Sequence, residues 1–303
     1  MQISPPVLVN FIFKMLDKMR KIIVSFSGGR TSAFMSKMLI DQHGKDRVVC
    51  VFANTGSEDD RTLDFVNECD NRWGLNVVWL EAKVNAEKEG TTYTLKNYKE
   101  AARNNEPFED VVRKYGLPNM KYLHCTRELK ERPIDAWIKD NFKSDEYLLA
   151  IGIRSDELFT RLKNKFKNTE ELKHYREKGY LSKRNIFYPL LDAGIKKVDV
   201  MGYWSLQDFD LNLPEHLGNC LTCHKKSDKK LYKIARDTPE AFEFTSYIGD
   251  KYKNVKSDRE EGRKIYRGNR TANDILIAAL NENYIEQYEF DLDGCGESCE
   301  VFT

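Results

Sequence analysis

The chain has 303 residues, of which 41% are hydrophobic and 32% charged, and its formal net charge at pH 7 is only +1. A chain of this length can bury a sizeable core, as one large domain or as two modest ones. No apolar run approaches the roughly 20 residues that a membrane-spanning helix needs, so we expect no membrane segment and a cytoplasmic location. The near-zero net charge by itself predicts no partner.

The first predicted elements are a strand, a glycine turn and a helix. Residues 22–26 are β-branched and apolar, residues 27–32 have the sequence SGGRTS, and residues 33–40 have helical apolar spacing. Glycines let the backbone approach a ligand closely, and the amides at a helix start favour an anion. Arg30 adds a planar group for a bidentate phosphate contact, so the turn predicts a polyphosphate site. An ordinary glycine turn with a serine helix cap is the alternative.

Strands and helices continue to alternate along the next part of the chain. Further strands are predicted at residues 48–53, 77–80 and 147–153, and helices at 62–73 and 128–142. Continuous apolar strands separated by helices indicate a parallel sheet covered on both faces, which is an α/β, Rossmann-like fold.

The remaining regions complete the predicted organisation. Residues 154–184 are expected to be loop-like, and after residue 189 the strand signal fades. Helices are then predicted at 238–247, 257–266 and 272–282. The sequence therefore predicts an N-terminal extension (1–18) without a signal-peptide cleavage site, a nucleotide-binding domain (19–200) and a helical, cysteine-containing region (201–303).

Polar, glycine-containing turns follow three of the predicted parallel strands. They lie at residues 27–32, 54–60 and 152–157. Ligands of open α/β sheets bind beyond the carboxyl ends of the strands, so three such turns favour a nucleotide cleft.

The cysteines suggest metal or redox chemistry. Seven is an odd number, and thiols inside the cell are reduced by default, so clusters of them are not expected to be structural disulfides. Cys220 and Cys223 form a C-x-x-C pair, which suits a redox pair, half of a zinc site or part of an iron–sulfur site. Cys50 and Cys69 are expected to be small buried hydrophobic residues.

Charge is distributed unevenly along the chain. Residues 161–184 and 225–236 are basic, whereas residues 282–300 carry acids and no lysine or arginine. Local basic surface suits the phosphates of a nucleotide or a nucleic acid, so tRNA or DNA is a candidate acceptor. A solvated helix face is the alternative explanation for each run.

Several segments resemble one enzyme family in order. The S-G-G-x-x-S turn after a strand is similar to the pyrophosphate loop of the N-type ATP pyrophosphatases, the PP-loop or adenine nucleotide alpha hydrolase superfamily. Four further segments resemble its phosphoadenylyl-sulfate (PAPS) reductase-like members. They are ANTGSEDDRTLDFV (53–66), HCTRELKERPIDAWI (124–138), GIRSDELFTR (152–161) and GNCLTCHKKSDKKL (218–231).

The resemblance implies an adenine-nucleotide site built from the three turns. The first turn would hold phosphates, the second would line the adenosine, and Gly152 would let the base approach the backbone. Arg154 would meet a phosphate or sulfate and, with Arg30, would be catalytic. Asp156 and Glu157 are candidate Mg²⁺ ligands, and their alternative role is to orient arginines by ion pairing. The implied nucleotide-binding residues are Ser27, Gly28, Gly29, Arg30, Thr31, Ser32, Asn54, Thr55, Gly56, Gly152, Arg154 and Arg161.

Relatives in this group carry an iron–sulfur cluster through cysteines, which implies that Cys125 is a third ligand beside the C-x-x-C pair. A fourth ligand would come from Cys295, Cys299 or His224. A [4Fe-4S] cluster is expected first and zinc second. Sulfate-reducing members end in a Glu-Cys-Gly-x-His motif with a nucleophilic cysteine. This chain has Cys295 and Cys299 there, as candidate catalytic nucleophiles, with no histidine after them.

Three functions stay open on the sequence alone. The first is adenylyl transfer from ATP, with release of pyrophosphate, coupled to sulfur handling and a sulfur donor. The second is reduction of PAPS or adenylyl sulfate to sulfite by a thioredoxin-like reductant. The third is a non-catalytic nucleotide-binding protein with a structural metal site. An oligomer is compatible with each.

Overall fold

The protein is described here by a computed structural model that covers residues 20–86, 90–162 and 169–281. The predicted extension 1–18 and the tail cysteines Cys295 and Cys299 lie outside these residues. Within the described ranges, no helix has both the length and the apolar character needed to cross a membrane.

A six-stranded sheet forms the centre of the fold. Its strands are β1 (Lys21–Ser25), β2 (Val48–Asn54), β3 (Val78–Val84), β4 (Thr91–Lys96), β5 (Tyr147–Ala150) and β6 (Ile186–Phe187). Their order is β4-β3-β2-β1-β5-β6, and β4 alone runs antiparallel to its neighbour. The chain winds from β1 towards β3 on one side and places β5 on the other. The strand order therefore reverses at β1, and such a point opens a ligand crevice at the carboxyl ends.

Helices cover the sheet and form the C-terminal part of the described chain. They are α1 (Arg30–His43), α2 (Asp60–Trp73), α3 (Glu106–Tyr115), α4 (Arg132–Asn141), α5 (Thr169–Lys178), α6 (Pro189–Asp192), α7 (Lys197–Trp204), α8 (Asp228–Asp237), α9 (Glu243–Tyr252) and α10 (Ala272–Leu280). A helical turn, His124–Thr126, and a π-helical turn, Arg127–Glu131, lead directly into α4.

Both faces of the sheet are buried, as the α/β prediction requires. Successive strand residues point to opposite faces. Accordingly, Val24 packs with Met35 of α1 and Leu63 of α2, whereas Ile23 packs with Ile134 of α4 on the other face. The predicted fold class is therefore confirmed.

A separate core holds the C-terminal helices together. Leu231 of α8 and Ile275 of α10 share it with Val112 of α3. By contrast, Leu211 and Leu213 pack in the core of the sheet. The predicted domain division after residue 200 stays a proposal, and this packing favours a division between residues 213 and 228.

The predicted helix at 257–266 is wrong. Lys256 and Gly262 have φ values of 49° and 83°, which belong to the left-handed region. Between them the chain turns back, and the Arg263 amide donates to the Lys253 carbonyl at 2.7 Å. The apolar spacing of this segment therefore reflects a loop that packs on the C-terminal core. The region 154–184, predicted to be loop-like, contains α5.

Candidate nucleotide site and cysteine cavity

The turn between β1 and α1 depends on two glycines with different surroundings. Gly28 has φ +78°, and a Cβ added there would lie 2.6 Å from Thr62 Cγ2 and 3.2 Å from Phe52 Cε2. Gly29 is the N-cap of α1 in an extended conformation, and the atom nearest to an added Cβ is 3.9 Å away. No side chain caps this helix and no acid lies in its first turn. Its first amides are therefore suited to an external anion.

The serines of the turn brace it from within. Ser32 is 2% exposed, and its Oγ accepts hydrogen bonds from the Ser27 amide at 3.2 Å and the Ser27 hydroxyl at 3.0 Å. The same hydroxyl donates to the Gly29 carbonyl at 3.0 Å. Ser32 thus fixes the curvature of the turn, because its hydroxyl makes all three of these hydrogen bonds within the turn.

Arg154 joins the turn after β5 to the turn after β1. Its side chain is largely buried, and Nη1 donates to Thr31 Oγ1 at 3.3 Å. Both residues line a pocket of about 290 Å³ together with residues 27–30. A Cβ on Gly152 would lie 3.8 Å from the Ser32 Cα, so the β5 turn approaches the β1 turn closely there too. Two of the three predicted turns therefore meet at one pocket.

The acids of the β5 turn pair with arginines. Arg154 Nε lies 3.1 Å from Asp156 Oδ1, and its Nη2 lies 3.5 Å from Glu157 Oε1. Glu157 Oε1 also lies 3.4 Å from Arg161 Nη1. The ion-pairing role that the sequence left open is thus observed. Over residues 20–86, 90–162 and 169–281, no three His, Cys, Asp or Glu side chains form a group suited to hold a metal ion.

Arg30 is held by a distant acid. Its Nε and Nη2 donate to the two carboxylate oxygens of Asp210 at 2.7 and 2.8 Å, and Nη2 also donates to the Leu211 carbonyl. Its own carbonyl accepts a hydrogen bond from Trp204 Nε1 at 3.0 Å. Arg30 still lines the pocket, but a bidentate phosphate contact would require it to exchange Asp210 for the phosphate. Its phosphate role stays a prediction.

The turn after β2 does not line this pocket and is held by buried hydrogen bonds. Asn54 is fully buried, and its Nδ2 donates to Glu81 Oε1 at 2.7 Å and to the Ala102 carbonyl at 2.9 Å. Thr55 Oγ1 donates to Glu58 Oε2 at 2.7 Å. Neither residue nor Gly56 lines the pocket of the β1 turn. Their part in binding adenosine stays a prediction.

Three lysines from the later part of the chain also line the pocket of the β1 turn, which we call the phosphate pocket after its predicted ligand. They are Lys197, Lys226 and Lys230. Glu215 lies 3.1 Å from the Lys197 ammonium and 3.6 Å from that of Lys230. Lys226 is buried and donates to the carbonyls of His216 and Gly218. Sequence reasoning missed all three as site residues, although Lys226 and Lys230 lie in the 218–231 segment that carries part of the resemblance.

A second cavity, also of about 290 Å³, is lined by thiols from two parts of the chain. Cys125 comes from the turn before α4, and Cys220 and Cys223 come from the loop before α8. Thr55 Oγ1 lies 3.5 Å from the Cys220 Sγ. Cys223 lines both this cysteine cavity and the phosphate pocket, so the loop that carries it separates the two.

His224 lines the cysteine cavity with its neighbours. It is 3% exposed, and its Nε2 has no hydrogen-bond partner among the described residues. Burial lowers the pKa of His224 to about 3, so the imidazole is neutral at physiological pH. His124 differs, because its Nε2 lies 2.9 Å from the Gly116 carbonyl. Cys50 and Cys69, predicted as small core residues, are fully buried in the sheet core.

Comparison with known proteins identifies the family of this chain. A family model described as the phosphoadenosine phosphosulfate reductase domain matches residues 21–213. The nin region protein ORF290 of Escherichia phage lambda is 33% identical over 297 residues, which cover 92% of this chain and 94% of that relative.

Two proteins of Methanocaldococcus jannaschii are also similar. MJ0066 is 28% identical over 158 residues, which cover 52% of this chain and 28% of that protein. MJ0973 is 26% identical over 230 residues, which cover 75% of this chain and 47% of that protein. None of the three relatives has a name that states an activity. The family match extends over both turns of the phosphate pocket, and the chain therefore belongs to the phosphoadenosine phosphosulfate reductase domain family of the PP-loop, adenine nucleotide alpha hydrolase superfamily.

Proposed function

We propose that this chain binds an adenine nucleotide in the crevice between β1 and β5 and transfers the adenylyl group of ATP to an acceptor. The observation that carries the proposal is the hydrogen bond from Arg154 to Thr31, which brings a buried guanidinium to the β1 turn. Lys197, Lys226 and Lys230 also line the phosphate pocket. Backbone amides, a guanidinium and ammonium groups around one volume are suited to a polyphosphate.

The proposed reaction proceeds in two displacements. An acceptor oxygen attacks the α-phosphorus of ATP, the bond from that phosphorus to the bridging oxygen breaks, and pyrophosphate leaves. A sulfur or nitrogen nucleophile then displaces AMP from the acceptor. Arg154 and the amides of the β1 turn would stabilise the negative charge that grows on the leaving pyrophosphate. Mg²⁺ would bind together with the phosphates. Asp156 and Glu157 are its candidate ligands, because the phosphates would take over part of the arginine contacts that these two carboxylates now make.

A reductase is the second candidate, favoured by Cys223, which borders both the phosphate pocket and the cysteine cavity. In that reaction a thiolate attacks the sulfur of PAPS or adenylyl sulfate, the sulfur–oxygen bond breaks, and the nucleotide leaves. A second thiolate attacks the cysteine sulfur of the resulting S-sulfocysteine, the bond from that sulfur to the sulfonate breaks, and sulfite leaves behind a disulfide. A thioredoxin-like reductant would then reduce that disulfide. Cys295 or Cys299 is the candidate nucleophile from the sequence.

A substrate panel separates these candidates. Protein purified without oxygen is incubated with ATP, PAPS or adenylyl sulfate, and pyrophosphate and sulfite are measured. Adenylyl transfer predicts pyrophosphate from ATP in the presence of an acceptor extract, whereas the reductase predicts sulfite from PAPS or adenylyl sulfate with a thiol reductant. Tight nucleotide binding without either product would favour the non-catalytic alternative.

Gly29→Val is the test variant for this assay. Gly29 has an extended conformation, and the atom nearest to a Cβ added there is Ser27 Oγ at 3.9 Å, so the backbone accepts a side chain. We expect nucleotide turnover to fall roughly tenfold or more, because displacing a bound group by about 1 Å can cost that much. The unfolding free energy should change by less than about 1 kcal/mol, as for other uncrowded positions. Unchanged turnover would place the nucleotide elsewhere.

The cysteine cavity carries donors that suit an iron–sulfur cluster or a zinc ion. Three thiols line it together with His224, whose Nε2 has no hydrogen-bond partner among the described residues. Thiolates and imidazoles are ligands of both groups, and we propose the cluster first because the resemblance implies it. Cys125, Cys220 and Cys223 would hold the cluster, with His224, Cys295 or Cys299 as fourth ligand. A cluster there would supply redox chemistry or a fixed charge beside the nucleotide.

Metal analysis of anaerobically purified protein tests the cluster. We expect iron and sulfide with a broad absorbance near ~400 nm, because thiolate-held clusters are the typical iron sites of such cysteine sets. Cys223→Ser should lose most of the iron. Cys50→Ala is the control, because Cys50 lies in the sheet core and should keep the iron. Stoichiometric zinc without iron would contradict the proposal.

A further inference from the structure

Two hollows meet at Tyr122, on the outside of the C-terminal core. One has a volume of about 180 Å³ and is lined by residues 119–122 and by parts of the loop 258–269. The other has a volume of about 390 Å³ and is lined by Tyr115, residues 121–124, Arg127 and Arg263. Lys121, Tyr122 and Arg263 belong to both hollows. We call this region the Tyr122 surface, formed by Tyr115, Lys121, Tyr122, Arg259, Arg263 and Arg267.

Cations hold the two tyrosine rings of this surface in place. The guanidinium carbon of Arg263 lies 3.8 Å from the centre of the Tyr122 ring. Lys256 Nζ lies 5.1 Å from the centre of the Tyr115 ring. These distances are those of cation–π contacts, and Lys121 Nζ also lies 5.1 Å from the centre of the Tyr122 ring. The Tyr122 surface therefore offers ordered aromatic rings next to positive charge.

Arg263 also carries an unsatisfied donor. The residue is 8% exposed, and its Nη1 donates to the Tyr115 carbonyl at 3.2 Å, while Nη2 donates to the Lys256 carbonyl. Its buried Nε has no hydrogen-bond partner in the described ranges of the chain. Buried donors are nearly always paired, so the unpaired Nε leaves Arg263 with an unmet hydrogen bond beside the two hollows that the residue lines. A phosphate oxygen is the acceptor that suits a guanidinium.

The charge of the surface extends over more than one phosphate. The loop after α9 contributes many cations and few acids. Its cations are Lys253, Lys256, Arg259, Arg263, Lys264, Arg267 and Arg270, against the acids Asp258, Glu260 and Glu261. Asp258 lies 3.2 Å from both the Lys121 ammonium and the Tyr122 hydroxyl, and Arg270 pairs with Asp228, so the other cations carry the excess charge. Met120 and Leu123, on either side of Lys121 and Tyr122, are 47% and 45% exposed. Cations distributed over this surface suit a ligand with several negative charges. The exposed apolar groups and the tyrosine rings suit a ligand that also carries planar, apolar groups.

We propose that the Tyr122 surface binds single-stranded nucleic acid, with phosphates on its cations and bases stacked on Tyr122 and Tyr115. Strands without sequence preference are bound in this way, by positive grooves with aromatic rings on which bases stack. A duplex keeps its bases inside and cannot stack them on the rings. The surface adjoins the cysteine cavity, since His124 lines the larger hollow and Cys125 lines the cavity. The proposal does not depend on ATP turnover.

Fluorescence anisotropy with short labelled oligonucleotides tests the proposal on the full chain. Single-stranded RNA or DNA of mixed sequence should bind at least roughly tenfold more tightly than the matching duplex, because stacking contributes about 1–3 kcal/mol per base. A preference for RNA over DNA would identify contacts to the 2′-hydroxyl. Equal affinity for single strands, duplex and heparin, or no binding, would overturn the proposal.

Variants separate stacking from charge. Tyr122→Leu should weaken single-strand binding roughly 5- to 150-fold, the range that corresponds to one lost stacked base. Tyr122→Phe keeps the ring and should bind within about twofold of the parent chain. An unchanged affinity in Tyr122→Leu would contradict stacking, and circular dichroism would show whether this variant folds.

A double variant, Lys121→Ala with Arg267→Ala, tests the phosphate contacts independently of Tyr122. Removing two phosphate contacts should reduce the slope of log affinity against log salt by about 1.4, because each contact to a single strand contributes about 0.7. Lys99→Ala with Lys139→Ala is the matched control, since both lysines are exposed, lie outside the basic runs and line neither hollow. An equal loss of slope in both double variants would contradict a site at the Tyr122 surface.

Discussion

Replacing Arg154 with alanine should lower the rate of nucleotide turnover by roughly 100-fold or more, as removal of a charge-stabilising donor typically does. Arg154 is the side chain that reaches from the β5 turn to Thr31 of the β1 turn. Its loss also leaves Asp156 and Glu157 without that arginine beside the incoming phosphates. The variant thus combines a lost contact with new repulsion, and both effects oppose a polyphosphate. Initial rates of product release and calorimetric binding of a non-hydrolysable ATP analogue measure the two effects.

Arg184→Ala is the matched control for Arg154→Ala. Arg184 lies 2.6 Å from Asp135 and 3.5 Å from Glu131, so its removal also breaks arginine–carboxylate pairs. It does not line the phosphate pocket, and turnover should stay within about twofold. If both variants lost activity equally, ion pairing in general would be responsible rather than the pocket. Full activity in Arg154→Ala would contradict the proposed site.

The sheet could be predicted where burial is two-sided. Strands β1, β2, β3 and β5 have continuous apolar runs, because helices cover both of their faces. The edge strand β4, Thr91–Lys96, was missed, since only one of its residues is buried and it contains no apolar run. The short strand β6 has two residues, too few for any periodic pattern. An edge strand forms by hydrogen bonding to the adjacent strand of the sheet. The residues of the edge strand alone do not reveal that pairing.

The turn between β1 and α1 could also be predicted, because the residues that shape it are close together in the sequence. Its glycines, its serine brace and the helix start all lie within a few residues of one another. The partner of Arg30 could not be predicted, because Asp210 lies 180 positions further along the chain in an irregular segment. Likewise, no local pattern marks Lys197 as a pocket residue. The sequence therefore indicates the backbone of the proposed anion site, whereas the side chains around it depend on tertiary packing.

Replacing Gly28 with alanine should destabilise the fold by about 3 kcal/mol, which combines left-handed backbone strain with overpacking. Its φ of +78° strains any other residue, and the new Cβ would lie 2.6 Å from the Cγ2 of the buried Thr62. Equilibrium unfolding in urea measures the loss. Gly29→Ala is the adjacent control, and its unfolding free energy should change by less than about 0.5 kcal/mol because its backbone is extended and uncrowded.

A second substitution separates the two causes of that loss. Thr62→Ser removes the Cγ2 that meets the new Cβ but leaves the φ of Gly28 unchanged. The Gly28→Ala, Thr62→Ser double variant should therefore regain at least about 1 kcal/mol relative to the sum of the single changes. Strict additivity would show that the Thr62 methyl contributes nothing, which leaves backbone strain and the contacts of the new Cβ with Phe52 and Val66 at 3.2 and 3.3 Å. The comparison with Gly29→Ala also separates the roles of the two glycines. Gly28 would be required by the fold, whereas Gly29, where an added Cβ meets no crowding, would be required only by the proposed ligand.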